Sequence, residues 1–475
     1  MDVYHDLVDD KRLITATGFR YTYENSRASS LLVEDLQISS GQLVVLCGKS
    51  GSGKSTFLRL INGLIPDYYE GKLEGQLEIA NHLAGKQTVE ECSKQVASVF
   101  QNPSSQFFHK YVKHELVLPG ENHGQSAAGI LNKLEKLTAD FALEDYLERD
   151  LSTLSGGEKQ RIALLTALMQ DTDILVLDEP TANLDRSGIE QVASYLSILK
   201  QEGKTILIAE HRLDYLKDLA DRYLYFDQGA LKRDYSKKEF DSLTETERHD
   251  LGLRSQDLSS SISKLEAKKQ IAPSPLTGDL TIKNLCLQSG DQELSFLEEA
   301  NFKSGVITAL VGPNGKGKST LAFYLAGLLD DEDADFYLNR HALSAHERLK
   351  DTAFVLQEVA LQLFSDSVQK ELTLGLKKAA DASNILENLG LKGLEDRHPM
   401  TLSGGEMQRL VIASQVLTKK RVFIFDEPSS GLDYQQMLQV ADLLKALKEQ
   451  GKIILLISHD EELLEKTADY FFTLN

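Results

Sequence analysis

The chain has 475 residues, 41% of them hydrophobic and 26% charged, a balance that excludes a disordered, fibrous or collagen-like polymer and leaves ample length for two or three buried cores. Its 52 Lys and Arg against 72 Asp and Glu give a net charge of −20, which argues against nucleic acid as the main partner. Three cysteines (Cys47, Cys92, Cys286) are too few and too scattered for a disulfide framework, an iron–sulfur run or a zinc ribbon, and no stretch approaches the ~18 uncharged apolar residues that cross a bilayer. The acidic start, MDVYHDLVDD, has no apolar signal core, so a chain made in the cytosol without a spanning segment of its own is expected.

In chain order, QLVVLCG (42–48) reads as a strand running into GKSGSGKST (48–56), and AAGILNKLEKLTADFAL (127–143) has helical spacing. TLSGGEKQR (153–161) follows, then DILVLDE (173–179) and TILIAEH (205–211), both apolar throughout, as strands buried on both faces of a parallel sheet should be. From about 231 to 276 the chain turns polar, with nine basic and eight acidic residues up to 275. This segment is expected to be a linker, either with some helix docked on the first copy or as a bare solvated tether. IKNLCL (282–287) and VITALVG (306–312) are expected to repeat the buried parallel strands, followed by GPNGKGKST (312–320), TLSGGEMQR (401–409), RVFIFDE (421–427) and KIILLIS (452–458).

One module is therefore written twice. The glycine-rich loops stand 264 residues apart and Gln101/Gln357 stand 256 apart; Ser155/Ser403, Asp178/Asp426 and His211/His459 all stand 248 apart. Length is lost where loops and a peripheral subdomain absorb it, and is kept from LSGGE to the histidine. The expected fold is α/β: two P-loop NTPase domains in tandem, each with a parallel-sheet core and an inserted helical subdomain, at 1–230 and 277–475 with the linker at 231–276.

GxxxxGK[ST] is a phosphate cradle. Gly48, Ser50, Gly51 and Gly53, like Gly312, Asn314, Gly315 and Gly317, let backbone N–H groups converge on an anion. Lys54 and Lys318 bring a cation to the transferred phosphate, Ser55 and Ser319 a hydroxyl to Mg²⁺, and Thr56 and Thr320 complete the motifs. Asp178 and Asp426 end apolar strands, where a carboxylate reaches the metal. Glu179 and Glu427 beside them are placed to polarise water, and His211 and His459 end the next strand within reach of a γ-phosphate. LSGGE is a second anion site per module, which makes sense only if it faces another module's nucleotide.

With these motifs, and with ANLD (182–185) and SGLD (430–433), the chain resembles the ABC ATPase family over essentially its whole length. The resemblance implies ATP and Mg²⁺ as ligands and an intramolecular head-to-tail pairing of the two domains. Ser403, Gly404 and Gly405 would complete the site of Lys54, Gln101, Asp178, Glu179 and His211, and Ser155, Gly156 and Gly157 that of Lys318, Gln357, Asp426, Glu427 and His459. It implies that Gln101 and Gln357 reach metal and nucleotide, and that Asp185 and Asp433 lie in loops linking the sites. Both sites are expected to hydrolyse ATP. An adenine-stacking aromatic is expected at Tyr23, with Tyr21 as the register alternative, and has no counterpart in LQSGDQ (287–292); Lys316 also departs from the usual small residue.

QNPSSQFF (101–108) and QEVALQLF (357–364) repeat Gln106/Gln362 and Phe108/Phe364 in phase, and the first resembles the ATPases of energy-coupling factor importers. That resemblance implies an ATPase subunit on the cytoplasmic face of the cell membrane, energising uptake of a vitamin, its precursor or a metal ion. Its partners would be a transmembrane coupling protein and a substrate-binding membrane protein, with no nucleic acid. The alternative is a soluble tandem ABC ATPase acting in translation or DNA repair, whose translation members carry a long basic linker that this chain lacks.

Overall fold

The apolar runs sort into parallel strands whose two faces are both covered. In the computed structural model, which describes residues 12–24, 30–182, 184–271, 279–289, 292–313, 315–374 and 383–474, the chain divides into Met1–Gln256 and Asp257–Asn475. The first unit holds a ten-stranded sheet. Its parallel part runs, in spatial order, Val96–Val99, Ile174–Asp178, Thr205–Ala209, Leu43–Gly48 and Arg222–Asp227, and Ala230–Ser236 connects it to an antiparallel layer made by Leu31–Ser39, Arg12–Tyr23, Gly71–Ile79 and His82–Leu83. The second unit repeats the parallel order with Thr352–Val355, Val422–Asp426, Ile453–Ile457, Val306–Val311 and Tyr470–Thr473, and keeps its antiparallel strands as a separate four-stranded sheet.

One expected strand changes place. IKNLCL lies within Leu280–Ser289, which pairs antiparallel with Gln292–Phe302 and Asp335–Leu338 and is not part of the parallel sheet. Its burial explains the difference: Ile282, Leu285 and Leu287 are inside while Lys283 and Asn284 are exposed, so only one face is covered. Asn284 also sits at φ 55, breaking the alternation.

The helical subdomain of the first unit is built on Val112–Asn122 and Ala127–Phe141; Ser126 caps the second, and Ile130, Leu134, Leu137 and Phe141 face the core at helical spacing. In the second unit Val368–Thr373 and Ser383–Asn388 are shorter and enclose a smaller cluster around Leu372, Leu389 and Leu410.

The polar segment divides. Ala230–Ser236, Lys237–Ser242 and Glu245–Asp250 belong to the first unit, where Phe240, fully buried, stacks on Tyr223 with ring centroids 3.8 Å apart. Gln256 closes this part, donating to the Tyr223 hydroxyl at 3.2 Å and to Asp241 at 2.9 Å and accepting from Arg248 at 3.0 Å. The helix Ser259–Ile271 packs within the second unit, where Ser261 and Lys264 bond Glu465. Phe240→Ala is expected to lower the stability of the first unit by about 3 kcal/mol, read as an earlier urea transition of that unit; a change below about 0.5 kcal/mol would mean that 237–256 is a surface appendage.

Candidate active site

Each glycine-rich loop leaves an inner strand of its parallel sheet, Leu43–Gly48 or Val306–Val311, and opens a helix, Lys54–Ile61 or Lys318–Leu325. The backbone crowds there. A Cβ on Gly48 (φ 139) would stand 2.1 Å from the Phe226 carbonyl oxygen, and one on Gly312 (φ 149) 2.4 Å from that of Leu474, so only glycine fits. The two lysines fold back over their loops in the same way. Lys54 Nζ donates to Gly48 O (2.9 Å) and Lys49 O (3.0 Å), and Lys318 Nζ to Gly312 O (2.8 Å) and Pro313 O (3.0 Å). Ser50, Gly51 and Thr56 stand in the first loop with Lys54 and Gly53, and Gly315, Gly317 and Thr320 in the second; Asn314 lies outside the described residues. Lys316 is exposed.

The strand two places along, Ile174–Asp178 or Val422–Asp426, delivers the carboxylates. Ser55 Oγ donates to Asp178 at 3.1 Å and Ser319 Oγ to Asp426 at 2.7 Å. Glu179 and Glu427, the next residues, adopt φ 48 and 51, a left-handed backbone that costs energy for a side chain of this size and recurs in both units at the same position. His211 Nε2 lies 3.6 Å from Glu179, and His459 Nε2 3.8 Å from Glu427. Gln101 Nε2 donates to Glu179 at 2.8 Å, while Gln357 is exposed. The structure thus brings Lys54, Ser55, Gln101, Asp178, Glu179 and His211 to one place in the first unit, and gathers Lys318, Ser319, Asp426, Glu427 and His459 in the second.

Ser155 and Ser403 cap 13-residue helices whose first residues are Gly156-Gly157 and Gly404-Gly405; Ser155, Gly156, Ser403 and Gly404 are exposed, so each helix presents its positive end outward. The side chains of Asp185 and Asp433 cap the helices that follow, accepting from Gly188 N and Gln436 N. Tyr21 is fully buried, its hydroxyl donating to Tyr69 O. Tyr23 is only partly buried, with its hydroxyl 3.1 Å from Thr56 Oγ1, so Tyr23 is the aromatic at the loop. Gly317 packs on Leu287 and Leu294, as Gly53 does on Leu31.

Burial dominates the electrostatics. It raises Asp178 and Asp426, and with the Asp178 charge it pushes Glu179 up to about 8; burial, then the charges of Lys54 and Arg254, hold His211 well below the usual imidazole value. Arg254 belongs to the segment that closes the first unit, and there Gly252 (φ 78) packs so closely on Lys49 that a Cβ would stand 2.8 Å from its side chain. That contact joins residues 203 apart and has no local signature in the sequence. A carboxyl raised on folding contributes stability below its unfolded pKa and loses it as pH rises through the folded value. Glu179→Gln removes this loss. Without nucleotide or metal, the variant is therefore expected to melt above the parent chain at pH 8.5, with the gap closing as pH falls towards 5 in a calorimetric series. An unchanged gap across that range would refute the shift.

The model described as ABC transporter matches residues 33–182 and 298–430. A relative from Treponema denticola named "Putative ABC transporter ATP-binding protein" is 37% identical over 458 residues, covering 95% of this chain and 93% of its own. Two solved structures share the fold across nearly the whole length. One is an RNase-L Inhibitor (23% identity, TM-score 0.65, 96% of this chain and 87% of that one). The other is an archaeal ribosome recycling factor, aABCE1, in complex with the ribosomal stalk protein aP1 (23%, 0.61, 93% and 85%).

These neighbours are an RNase-L Inhibitor and an archaeal ribosome recycling factor, neither named as a membrane subunit, which overturns the expected nutrient importer with its transmembrane coupling protein and substrate-binding membrane protein. The expectation, argued from net charge, that nucleic acid is not a main partner falls with it. The glutamine pattern behind the importer expectation has an internal explanation. Gln106 accepts from Phe100 N at 3.0 Å, and Gln362 accepts from Leu356 N at 2.8 Å and donates to Phe354 O at 2.7 Å, so both close a turn of their own chain. Phe107 packs on the core, whereas Phe108 and Phe364 are 83% and 77% exposed. Among the described residues no helix is long and apolar enough to cross a membrane. The chain belongs to the ABC transporter ATPase family, as an ATPase with two nucleotide-binding units in tandem.

Proposed function

We propose that the chain is a soluble tandem ATPase acting on the translation machinery, in which ATP closes the two units head to tail and hydrolysis at both sites reopens them. The observation that carries the hydrolytic half is the doubled cluster: a strained glutamate 3.6–3.8 Å from a strand-end histidine, beside a Ser–Asp pair and a lysine-bearing loop. Neither copy has lost a member. The choice of partner draws support from the fold shared with the archaeal ribosome recycling factor over 93% of this chain. Phe108 and Phe364, exposed in the same register of both units, are suited to contact the partner.

In this cycle Lys54 and Lys318 exchange their loop carbonyls for the β- and γ-phosphates. The donor set at each loop, a serine hydroxyl bonded to a buried aspartate, is all hard oxygen and fits Mg²⁺, with Gln101 and Gln357 closing the first and second sites. The ion supplies neutralisation of phosphate charge. Glu179 and Glu427 accept a proton from the attacking water, and His211 and His459 hydrogen-bond the γ-phosphate. Ser403, Gly404 and Gly405 complete the first site, and Ser155, Gly156 and Gly157 the second. Tyr23 stacks on adenine in the first; the second, with no aromatic in LQSGDQ (287–292), binds the base more weakly.

Glu179→Gln with Glu427→Gln is expected to cut turnover by at least about 10³-fold while ATP stays bound. Hydrolysis near the parent rate would remove both residues as general bases. The same ATP-loaded double variant is expected to co-sediment with ribosomes through a sucrose cushion. Absence from the ribosome pellet, with near-stoichiometric recovery of a polytopic protein from detergent-solubilised membranes, would overturn the partner assignment and leave the hydrolytic one standing.

A further inference from the structure

The residue before His211 is Glu210, and the residue before His459 is Ser458. In the 248-residue register Glu210 matches Ser458 and Arg212 matches Asp460, so the acid stands on opposite sides of the histidine in the two copies. The carboxylates nevertheless reach the same target. Glu210, 3% exposed, accepts from Thr181 Oγ1 at 2.7 Å; Asp460, 6% exposed, accepts from Ser429 Oγ at 2.7 Å. Thr181 and Ser429 are themselves equivalent, two residues beyond Glu179 and Glu427.

In each unit, then, one buried carboxylate bridges the segments that leave two adjacent strands, the first carrying the glutamate and the second the histidine. Glu210 makes further bonds, accepting from His211 N (2.8 Å), Arg212 N (3.2 Å) and the Tyr215 hydroxyl (3.1 Å); Asp460 also accepts from Leu463 N at 3.1 Å. A buried carboxylate is tenable when its lone pairs are so filled, and removing one donor leaves it short. Two different local sequences thus converge on one cross-strand bond and on nearly one spacing, 3.6 and 3.8 Å between glutamate and histidine.

We propose that Glu210 and Asp460 are positioning residues, each tying the histidine-bearing segment to the glutamate-bearing segment through Thr181 or Ser429 and so fixing the geometry of water activation. This rests on the hydrolytic reading of Glu179, His211, Glu427 and His459. The test is steady-state ATP hydrolysis by the full chain. Thr181→Val with Ser429→Ala removes both donor hydroxyls, and Glu210→Ser with Asp460→Ser removes both acids. Either pair is expected to lower kcat about tenfold or more with KM within about twofold, as a misplaced catalytic group does.

Adding Arg212→Asp and Ser458→Glu to the second pair moves each acid to the other side of its histidine, and is expected to return kcat to within about threefold of the parent. Parent-like kcat in both paired variants, or no recovery in the exchanged chain, overturns the proposal. His211→Ala with His459→Ala separates the two failures. If it slows turnover while the Thr181/Ser429 pair is indifferent, only the positioning role falls; if it too leaves turnover intact, the hydrolytic reading falls with it.

Discussion

Two adjacent carboxylates at the end of a strand with no solvent on either face are the constraint around which each unit is built. Asp178 and Glu179 leave the parallel sheet where burial disfavours charge, and the Asp178 charge raises the cost of ionising Glu179 further. What offsets that cost in the first unit is a ring of donors drawn from separate parts of the chain: Ser55 from the helix behind the loop, Gln101 from beyond the first parallel strand, and the charge of Lys54. A polar group buried in this way must be satisfied by what surrounds it. The sheet order, the glycine-only loop and the left-handed glutamate all serve that arrangement.

The first and second units solve the problem with different spare parts. The first joins its antiparallel layer to the parallel sheet through Ala230–Ser236; among the described residues the second has no such strand, and its two sheets remain separate. The first has a tyrosine beside its loop, and the matching stretch of the second, LQSGDQ, has no aromatic. Yet the Ser–Asp bond, the folded-back lysine and the glutamate–histidine distance recur within a few tenths of an ångström. Duplication preserved the chemistry and let the periphery drift.

Most of this was legible in the sequence because it depends on local rules. A glycine-rich run after an apolar strand, a carboxylate pair ending another, and a histidine ending a third each signal themselves within a few residues. IKNLCL misled because a short apolar run does not reveal whether one face or two will be covered; the exposed Lys283 and Asn284 were the available clue. The Glu210–Thr181 bond joins residues 29 apart in sequence, and the acid's shift across the histidine hid the equivalence with Asp460. The repetition of Gln106 and Gln362 is visible in the sequence, and the turns they close are not.

The end of the first unit has a mechanical consequence. Gln256 is clamped by Tyr223, Asp241 and Arg248, and Gly252, four residues earlier, rests on the stem of Lys49. A pull on the chain beyond 256 therefore enters the unit at this clamp and not at a sheet edge, and the first structure it meets on the way in is the rim of the phosphate cradle. Load on the connecting chain and the shape of the first nucleotide loop are, by this route, one mechanical variable.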